Sequence, residues 1–243
     1  MTDTVAVRRR TPWLAARVHA VRSETPVART IVLDVPGWQG HVAGQHVDVK
    51  LTAPDGYSAQ RSYSIAAPPD GERVELTVQL VPDGEVSPYL VDELLPTDEL
   101  EVRGPIGGWF TWRATDPGPV LLVAGGSGIV PLMAMIRERA RAGSMAPFTL
   151  VYSVRGPADV YYSTELASLD VPVRLLYTRA DAPDRPAGRI TMADLPAATD
   201  ARVYVCGPTG FVETVSELLL TRGHASASIR TERFGASGGQ DVR

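Results

Sequence analysis

A single cysteine, Cys206, stands in a chain of 243 residues. No disulfide can form within the chain, and it cannot supply a four-cysteine zinc or iron–sulfur site. Lysine is just as scarce: of 24 basic residues only Lys50 is a lysine. That imbalance, with the abundant alanine, reflects genome composition rather than function. The four histidines, His19, His41, His46 and His224, show no metal-ligand spacing. None shares a motif with a nucleophile, so they read as packed or solvated side chains and the expectation is no metal and no Ser/His/Asp or Cys/His set. The net charge of -4 leaves no electrostatic footprint for nucleic acid. No apolar run approaches the ~20 residues of a membrane-spanning helix. The stretch 13–16 behind Arg8-Arg9-Arg10 is too short for a secretory h-region and is broken by Arg17. The expectation is a cytoplasmic protein with no membrane partner.

What is present divides into two halves. Residues 13–110 read as short strands at 14–21, 30–35, 46–51, 61–66, 74–81 and 99–103. Pro36-Gly37, Pro54-Asp55-Gly56, Pro69-Asp70-Gly71 and Pro82-Asp83-Gly84 mark reversals, proline fixing φ and glycine accepting the turn. Val74, Leu76, Val78 and Leu80 alternate with Glu75, Thr77 and Gln79, giving one buried and one wet face. Six such strands without a long helix between them predict a small antiparallel barrel, with one short helix over 87–95.

After a Pro- and Gly-rich linker at 113–119 the pattern changes. Strands at 120–124, 148–153, 173–178 and 202–206 alternate with helices at 129–142, 164–169 and 211–222, and 226–231 can add one more strand. That order predicts a parallel sheet covered by helices on both faces, with ligands at the strand C-terminal ends. Those ends carry Gly125-Gly126-Ser127-Gly128, then Ser153 and Arg155, then Thr178 and Arg179, then Cys206-Gly207-Pro208. The glycine turn suits either an anion at a helix N-terminus or a plain tight βα turn. The dinucleotide fingerprint is half met, Pro131 standing where its third glycine would be. Ser153 and Arg155 occupy the place where an acidic residue would bind a ribose 2′-hydroxyl, and arginine forks suit a 2′-phosphate.

In the barrel half, Arg61-Ser62-Tyr63-Ser64 offers a guanidinium for phosphate, a ring for stacking and hydroxyls for a heteroatom. It also fits a strand with tyrosine inside and arginine outside. Gly84-Glu85-Val86-Ser87 offers amides to an anion, or forms a serine-capped turn.

The order of these motifs is more specific than any one. R-x-Y-S, G-x-x-S, G-P-x-G-G-x-F, G-G-S-G-x-x-P, C-G-P and E-R-F together closely resemble the ferredoxin–NADP reductase superfamily, over residues 13–234. The resemblance implies a flavin-binding antiparallel Greek-key β-barrel over 13–113 and a nicotinamide-binding α/β domain over 119–234. It implies FAD and NADPH as cofactors, with hydride transfer at the junction of the domains. Arg61 resembles the residue that meets the flavin pyrophosphate, Tyr63 the one stacked on the isoalloxazine, and Ser64 the one near flavin N5; Ser62 lies between them. Gly84, Val86 and Ser87 match a second pyrophosphate contact. Gly125, Gly126, Ser127 and Gly128 match the dinucleotide loop, with Ser153, Arg155 and Arg179 around the 2′-phosphate. Cys206, Gly207 and Pro208 match the segment beside the nicotinamide, Glu232 a residue near the hydride path, and Phe234 a ring over the flavin. Relatives of the plant type end on a tyrosine there, whereas here residues 235–243 follow and are expected to form a mobile tail.

The implied activity is hydride transfer from NADPH to FAD, then single electrons to a separate ferredoxin, flavodoxin or oxygenase component. Three alternatives stand beside it: an NAD(P)H:flavin or ferric reductase, a flavin-binding oxygenase subunit without turnover of its own, and a nucleotide-binding protein without redox role.

Overall fold

The structure, a computed structural model, describes residues 11–234. The arginine triplet at 8–10 and the tail at 235–243 lie outside the described residues. The first half forms six strands: β1 (Leu14–Thr25), β2 (Ala28–Asp34), β3 (His46–Thr52), β4 (Ser58–Ser64), β5 (Arg73–Gln79) and β6 (Glu99–Ile106). They pair antiparallel in the order β4-β3-β6-β1-β2-β5. The sheet closes on itself just past β4. Ile65 bridges Leu76, and the Ala66 N–H donates to the Glu75 carbonyl at 2.7 Å. The strand expected over 61–66 therefore ends at Ser64: Ile65 still donates its N–H to the Gln45 carbonyl just before β3 (2.9 Å), but it and Ala66 now also pair with β5 and shut the barrel. Val18, Leu33, Val47, Val49, Leu76 and Val102 fill the interior, the inward set of each alternating strand. The helix expected over 87–95 is a single wide turn, Tyr89–Glu93, which caps the barrel with Leu90 and Val91.

The second half forms β7 (Val120–Gly125), β8 (Phe148–Val154), β9 (Val173–Tyr177), β10 (Arg202–Pro208) and β11 (Ile229–Phe234). These are parallel, in the order β11-β10-β7-β8-β9. Helices α1 (Ile129–Arg141) and α3 (Thr209–Arg222) cover the sheet, with a short α2 (Ser163–Leu166) beside them. All six residues of β7 are buried because both of its faces are covered. Leu122 and Ala124 pack in the cluster with Ile129, Met133 and Ile136 of α1, whereas Leu121 and Val123 pack in that with Val212, Val215 and Leu219 of α3. β11 starts later than the sequence suggests, since 226–228 are a tight helical turn, and it runs on to Phe234.

The two units share apolar contact. Ala43, Ala66, Phe110 and Trp112 belong to the same buried cluster as α1. The connecting segment is pinned as well, Asp116 accepting from the Arg113 N–H (3.0 Å) and pairing with Arg202 of β10 (3.2 Å). Among the described residues no helix is long and apolar enough to cross a membrane.

Candidate functional site

The parallel sheet has one point where the chain departs in opposite directions. From β7 it proceeds to β8 and β9; the other way lie β10 and β11. Such a switch point leaves a crevice at the strand C-terminal ends. Gly125, Gly126, Ser127 and Gly128 leave β7 there, and Cys206, Gly207 and Pro208 end β10 beside them. The glycines are required by contact as much as by turning. A Cβ on Gly128 would lie 2.0 Å from the Cys206 carbonyl oxygen, and one on Gly125 or Gly207 would strike the Phe211 ring at 2.7 or 2.8 Å. No side chain caps α3, so backbone N–H groups at its start remain for an anion. Helix α1 continues a tight turn over Gly126–Gly128 whose carbonyls accept the Ile129 N–H, so on that side the amides left for an anion belong to the glycine turn itself.

On the barrel, β4 is the strand next to the closure and carries Arg61, Ser62, Tyr63 and Ser64. Arg61 and Tyr63 lie opposite Val49 and Val47 of β3 and share a face. Burial pushes the Tyr63 phenol up to about 12, so it is a neutral, flat surface at any physiological pH. Arg61 Nη2 donates to Glu85 Oε2 at 2.7 Å, which draws the 84–87 segment to β4; the Tyr57 hydroxyl holds the other Glu85 oxygen. Ser62 faces the opposite way and donates to Asp48 (2.6 Å), which Arg103 also holds (2.6 Å). Burial raises the Asp48 carboxyl, but these donors outweigh it and its pKa falls below the usual range. Val86 is fully buried in the barrel core, so only its backbone can meet a ligand. Ser87 is turned onto its own loop, accepting from the Val81 N–H at 3.0 Å.

The two sheets approach each other at His46 and Glu232, Nδ1 to Oε1 at 3.6 Å, each side chain 25% exposed. His46 is the register partner of Ser64, and Glu232 is the register partner of Cys206. Two strand pairings thus bring Ser64, His46, Glu232 and Cys206 to one place. Cys206 is fully buried, and burial, then the Glu232 charge, raises its thiol well above the ordinary value. Glu232 Oε2 is buried without a hydrogen-bond partner. Phe234 pairs with Pro208 at the end of β11 and packs against the cluster on the α1 side.

At the far end of the crevice Arg155 and Arg179 follow β8 and β9, both exposed, while Ser153 is buried opposite Gly125. Two other arginines of this unit, Arg174 and Arg185, pair with the buried Asp194 (3.2 and 2.9 Å). The acid in the loop after β8, Asp159, accepts from the Gly156 N–H at 2.9 Å and so is turned onto its own loop.

Three residues here are not signalled by the sequence motifs. His46 becomes visible only through the β3–β4 register. Glu85 sits inside the 84–87 motif but reveals its partner only in three dimensions. Phe211 lies just beyond Cys206-Gly207-Pro208, and no spacing shows that its ring lies over two glycines. Among the described residues no group of three or more His, Cys, Asp or Glu is placed to hold a metal ion.

The chain matches two family models: the oxidoreductase FAD-binding domain over residues 17–111 and the oxidoreductase NAD-binding domain over residues 122–217. It is 30% identical over 204 residues to the ferredoxin–NAD(P)(+) reductase component of the naphthalene 1,2-dioxygenase/salicylate 5-hydroxylase systems of a Ralstonia species, covering 80% of this chain and 61% of that protein. It is 38% identical over 157 residues to ferredoxin–NADP reductase B of Sorangium cellulosum, covering 63% of each. The chain spans 56–63% of the length of the curated relatives it matches. The flavohem-like FAD/NAD-binding domain of nitric oxide dioxygenase from Vibrio cholerae superposes with a TM-score of 0.83 at 25% identity, over 93% of this chain and 100% of that one. The residues present fit the two cofactors: a glycine turn at the switch point with open space above Gly126, a neutral aromatic face, and an orphaned buried carboxylate oxygen at the junction. With the two domain models matched in tandem and reductases of this kind among its relatives, the chain belongs to the ferredoxin–NADP reductase superfamily.

Proposed function

We propose that this chain is an NAD(P)H-dependent flavin oxidoreductase that takes hydride from NADPH and passes electrons singly to a separate acceptor protein such as ferredoxin, flavodoxin or an oxygenase component. The observation that carries it is the convergence of Ser64 and His46 from the barrel with Glu232 and Cys206 from the parallel sheet, across 3.6 Å at the His46–Glu232 contact. FAD, when bound, supplies the chemistry, accepting a pair of electrons as hydride and releasing them one at a time.

The chain's own residues bind and orient. Residues 13–113 form the flavin unit and 119–234 the nucleotide unit. Tyr63 offers the stacking face, Arg61 a guanidinium for the pyrophosphate, and the backbone of Gly84, Val86 and Ser87 its amides. Gly125, Gly126, Ser127 and Gly128 receive the dinucleotide, Arg155 and Arg179 its 2′-phosphate, and Ser153 the ribose side. Ser64, Cys206 and Glu232 surround the reacting atoms, and Gly207, Pro208 and Phe234 limit water there. Proximity and orientation do the catalytic work, and no side-chain nucleophile is required.

The test is a visible absorption spectrum of the purified protein with FAD, followed by reduction with NADPH and trials of ferredoxin, flavodoxin, free flavin and a ferric chelate. A flavin spectrum, bleaching by NADPH, and turnover faster with a protein acceptor than with small molecules is the expected result. A protein that binds no flavin overturns the reading, and turnover confined to free flavin or ferric iron replaces the acceptor protein with a small molecule.

A further inference from the structure

Helix α1 begins at the Gly125–Gly128 turn and, about two helical turns on, presents Arg137 to the barrel. Nη1 of Arg137 donates to the Ala66 carbonyl at 2.9 Å and to Glu75 at 2.6 Å. Nε and Nη2 grip both oxygens of Glu165 at 2.8 and 2.6 Å, and the guanidinium lies 4.9 Å from the centre of the Tyr162 ring. Tyr162 itself has φ 56°, a conformation that a bulky side chain adopts only when its surroundings hold it there. They do. Its hydroxyl donates to Thr77 at 2.6 Å, and its N–H donates to Glu24 at 3.1 Å. Thr30 joins the same network, to Glu24 at 2.7 Å and Thr77 at 2.8 Å. Two residues of the α/β unit thus hold β1 and β5 of the barrel, and Thr30 of β2 is tied to the same acceptors.

The position of Ala66 gives this clamp its meaning. It lies two residues beyond Ser64, and its own N–H bonds the Glu75 carbonyl. One guanidinium therefore ties the helix that starts at the dinucleotide turn to the strand end that carries Ser64. Arginine suits the task because a planar fork can serve a carbonyl and two carboxylates at once, which an ammonium on a flexible stem does not do in fixed geometry.

We infer that Arg137, braced by Tyr162, is a positioning residue that sets the separation between the Gly125–Gly128 turn and Ser64. This rests on the proposed function, in which both electrons of the dihydronicotinamide C4–H bond leave with the hydrogen for the isoalloxazine N5, the nicotinamide being oxidised as the flavin is reduced. The brace touches neither ring. It fixes the reach between them.

The experiment compares wild type, Arg137→Lys and Tyr162→Phe, the last keeping the ring and losing only the Thr77 bond. Backbone hydrogen exchange over residues 65–77 is measured without nucleotide. On the FAD-loaded proteins, stopped-flow reduction by NADPH and by [4,4-²H₂]NADPH gives the limiting rate and the half-saturating concentration. Arg137→Lys should exchange faster at Ala66 and Glu75. Its limiting rate should fall about 10- to 100-fold, since small misplacements in the reacting pair have effects of that order. Half-saturation by NADPH should shift less than about twofold, because the nucleotide contacts are elsewhere. Tyr162→Phe should show the same pattern to a smaller degree. Unchanged exchange, a wild-type limiting rate, or a loss confined to NADPH affinity would overturn the brace. If wild type itself is not reduced by NADPH, the proposed function falls and the inference with it; if wild type is reduced and the variants match it, only the inference falls.

Discussion

Arg179 donates its backbone N–H to the carbonyl of Arg155 at 2.8 Å, which sets two exposed guanidinium-bearing residues side by side where β8 and β9 end. Losing one of them should weaken NADPH use by roughly 10- to 150-fold, the equivalent of a charged hydrogen bond. NADH use should stay nearly constant, because NADH has no 2′-phosphate to lose the contact. Added salt should lower NADPH affinity more than NADH affinity, both arginines facing solvent. Measuring kcat/KM for both nucleotides in wild type, Arg155→Ala and Arg179→Ala checks this. Equal losses for the two nucleotides would make these arginines ordinary surface charges.

Arg61 and Glu85 form an ion pair whose side chains are about half exposed, at 51% and 47%. Pairs so exposed add little to stability. Arg61→Ala should therefore leave the Tm of the flavin-free protein almost unmoved while loosening FAD about tenfold or more. Glu85→Gln should tighten FAD, since it frees the guanidinium from a competing carboxylate. Flavin titration by fluorescence quenching, beside thermal melts, decides it. Equal FAD affinity in all three proteins would take Arg61 out of the flavin site.

Gly128→Ala should cost roughly 1–3 kcal/mol, the range for a side chain forced into packed surroundings. The reason is steric, since the φ of Gly128 is an ordinary -61° and its Cβ would strike the Cys206 carbonyl. Gly126→Ala meets no atom within 4 Å but has φ +55°, so its penalty comes from backbone conformation instead. Chemical denaturation of both variants gives the comparison. A Gly128→Ala protein as stable as wild type would mean that the backbones of α1 and β10 separate freely.

His41 is buried, its Nδ1 accepting from Trp38 Nε1 (3.2 Å) and its Nε2 donating to the Ala67 carbonyl (2.8 Å). Burial lowers its pKa, outweighing the Ala67 bond that raises it. Below about 6.5 the unfolded histidine takes a proton that the folded one resists, so stability should fall as the pH drops from there. Above that value this contribution is complete. Melting curves from pH 5 to 8 for wild type and His41→Gln should show a smaller acid loss in the variant. Parallel curves would remove His41 from the acid response.

The architecture was legible because its signals are local. Alternation at Val74–Leu80, the Pro-Asp-Gly reversals and the spacing of Ile129, Met133 and Ile136 each act within a few residues. The strand expected over 61–66 ends two residues short for the opposite reason: Ile65, just past β4, takes a partner in β5 that no local pattern announces. The site divides the same way. Glycine turns and R-x-Y-S show in the sequence, whereas His46 facing Glu232 depends on two strand registers and on how two sheets meet. No motif marks Arg137 in the sequence. Its three partners lie on Ala66, Glu75 and Glu165, far apart in the chain.

The lone cysteine has a practical consequence. Cys206 ends up wholly enclosed at the seam between β7 and β10, with no other thiol in the chain. An alkylating reagent can reach it only when that seam opens, so the rate of modification is a clock for opening at the switch point. Each molecule carries one such clock, and it needs no engineered label. If the cofactors settle where the glycines meet, flavin and nucleotide should each slow it, and the reagent would report their arrival without any redox assay.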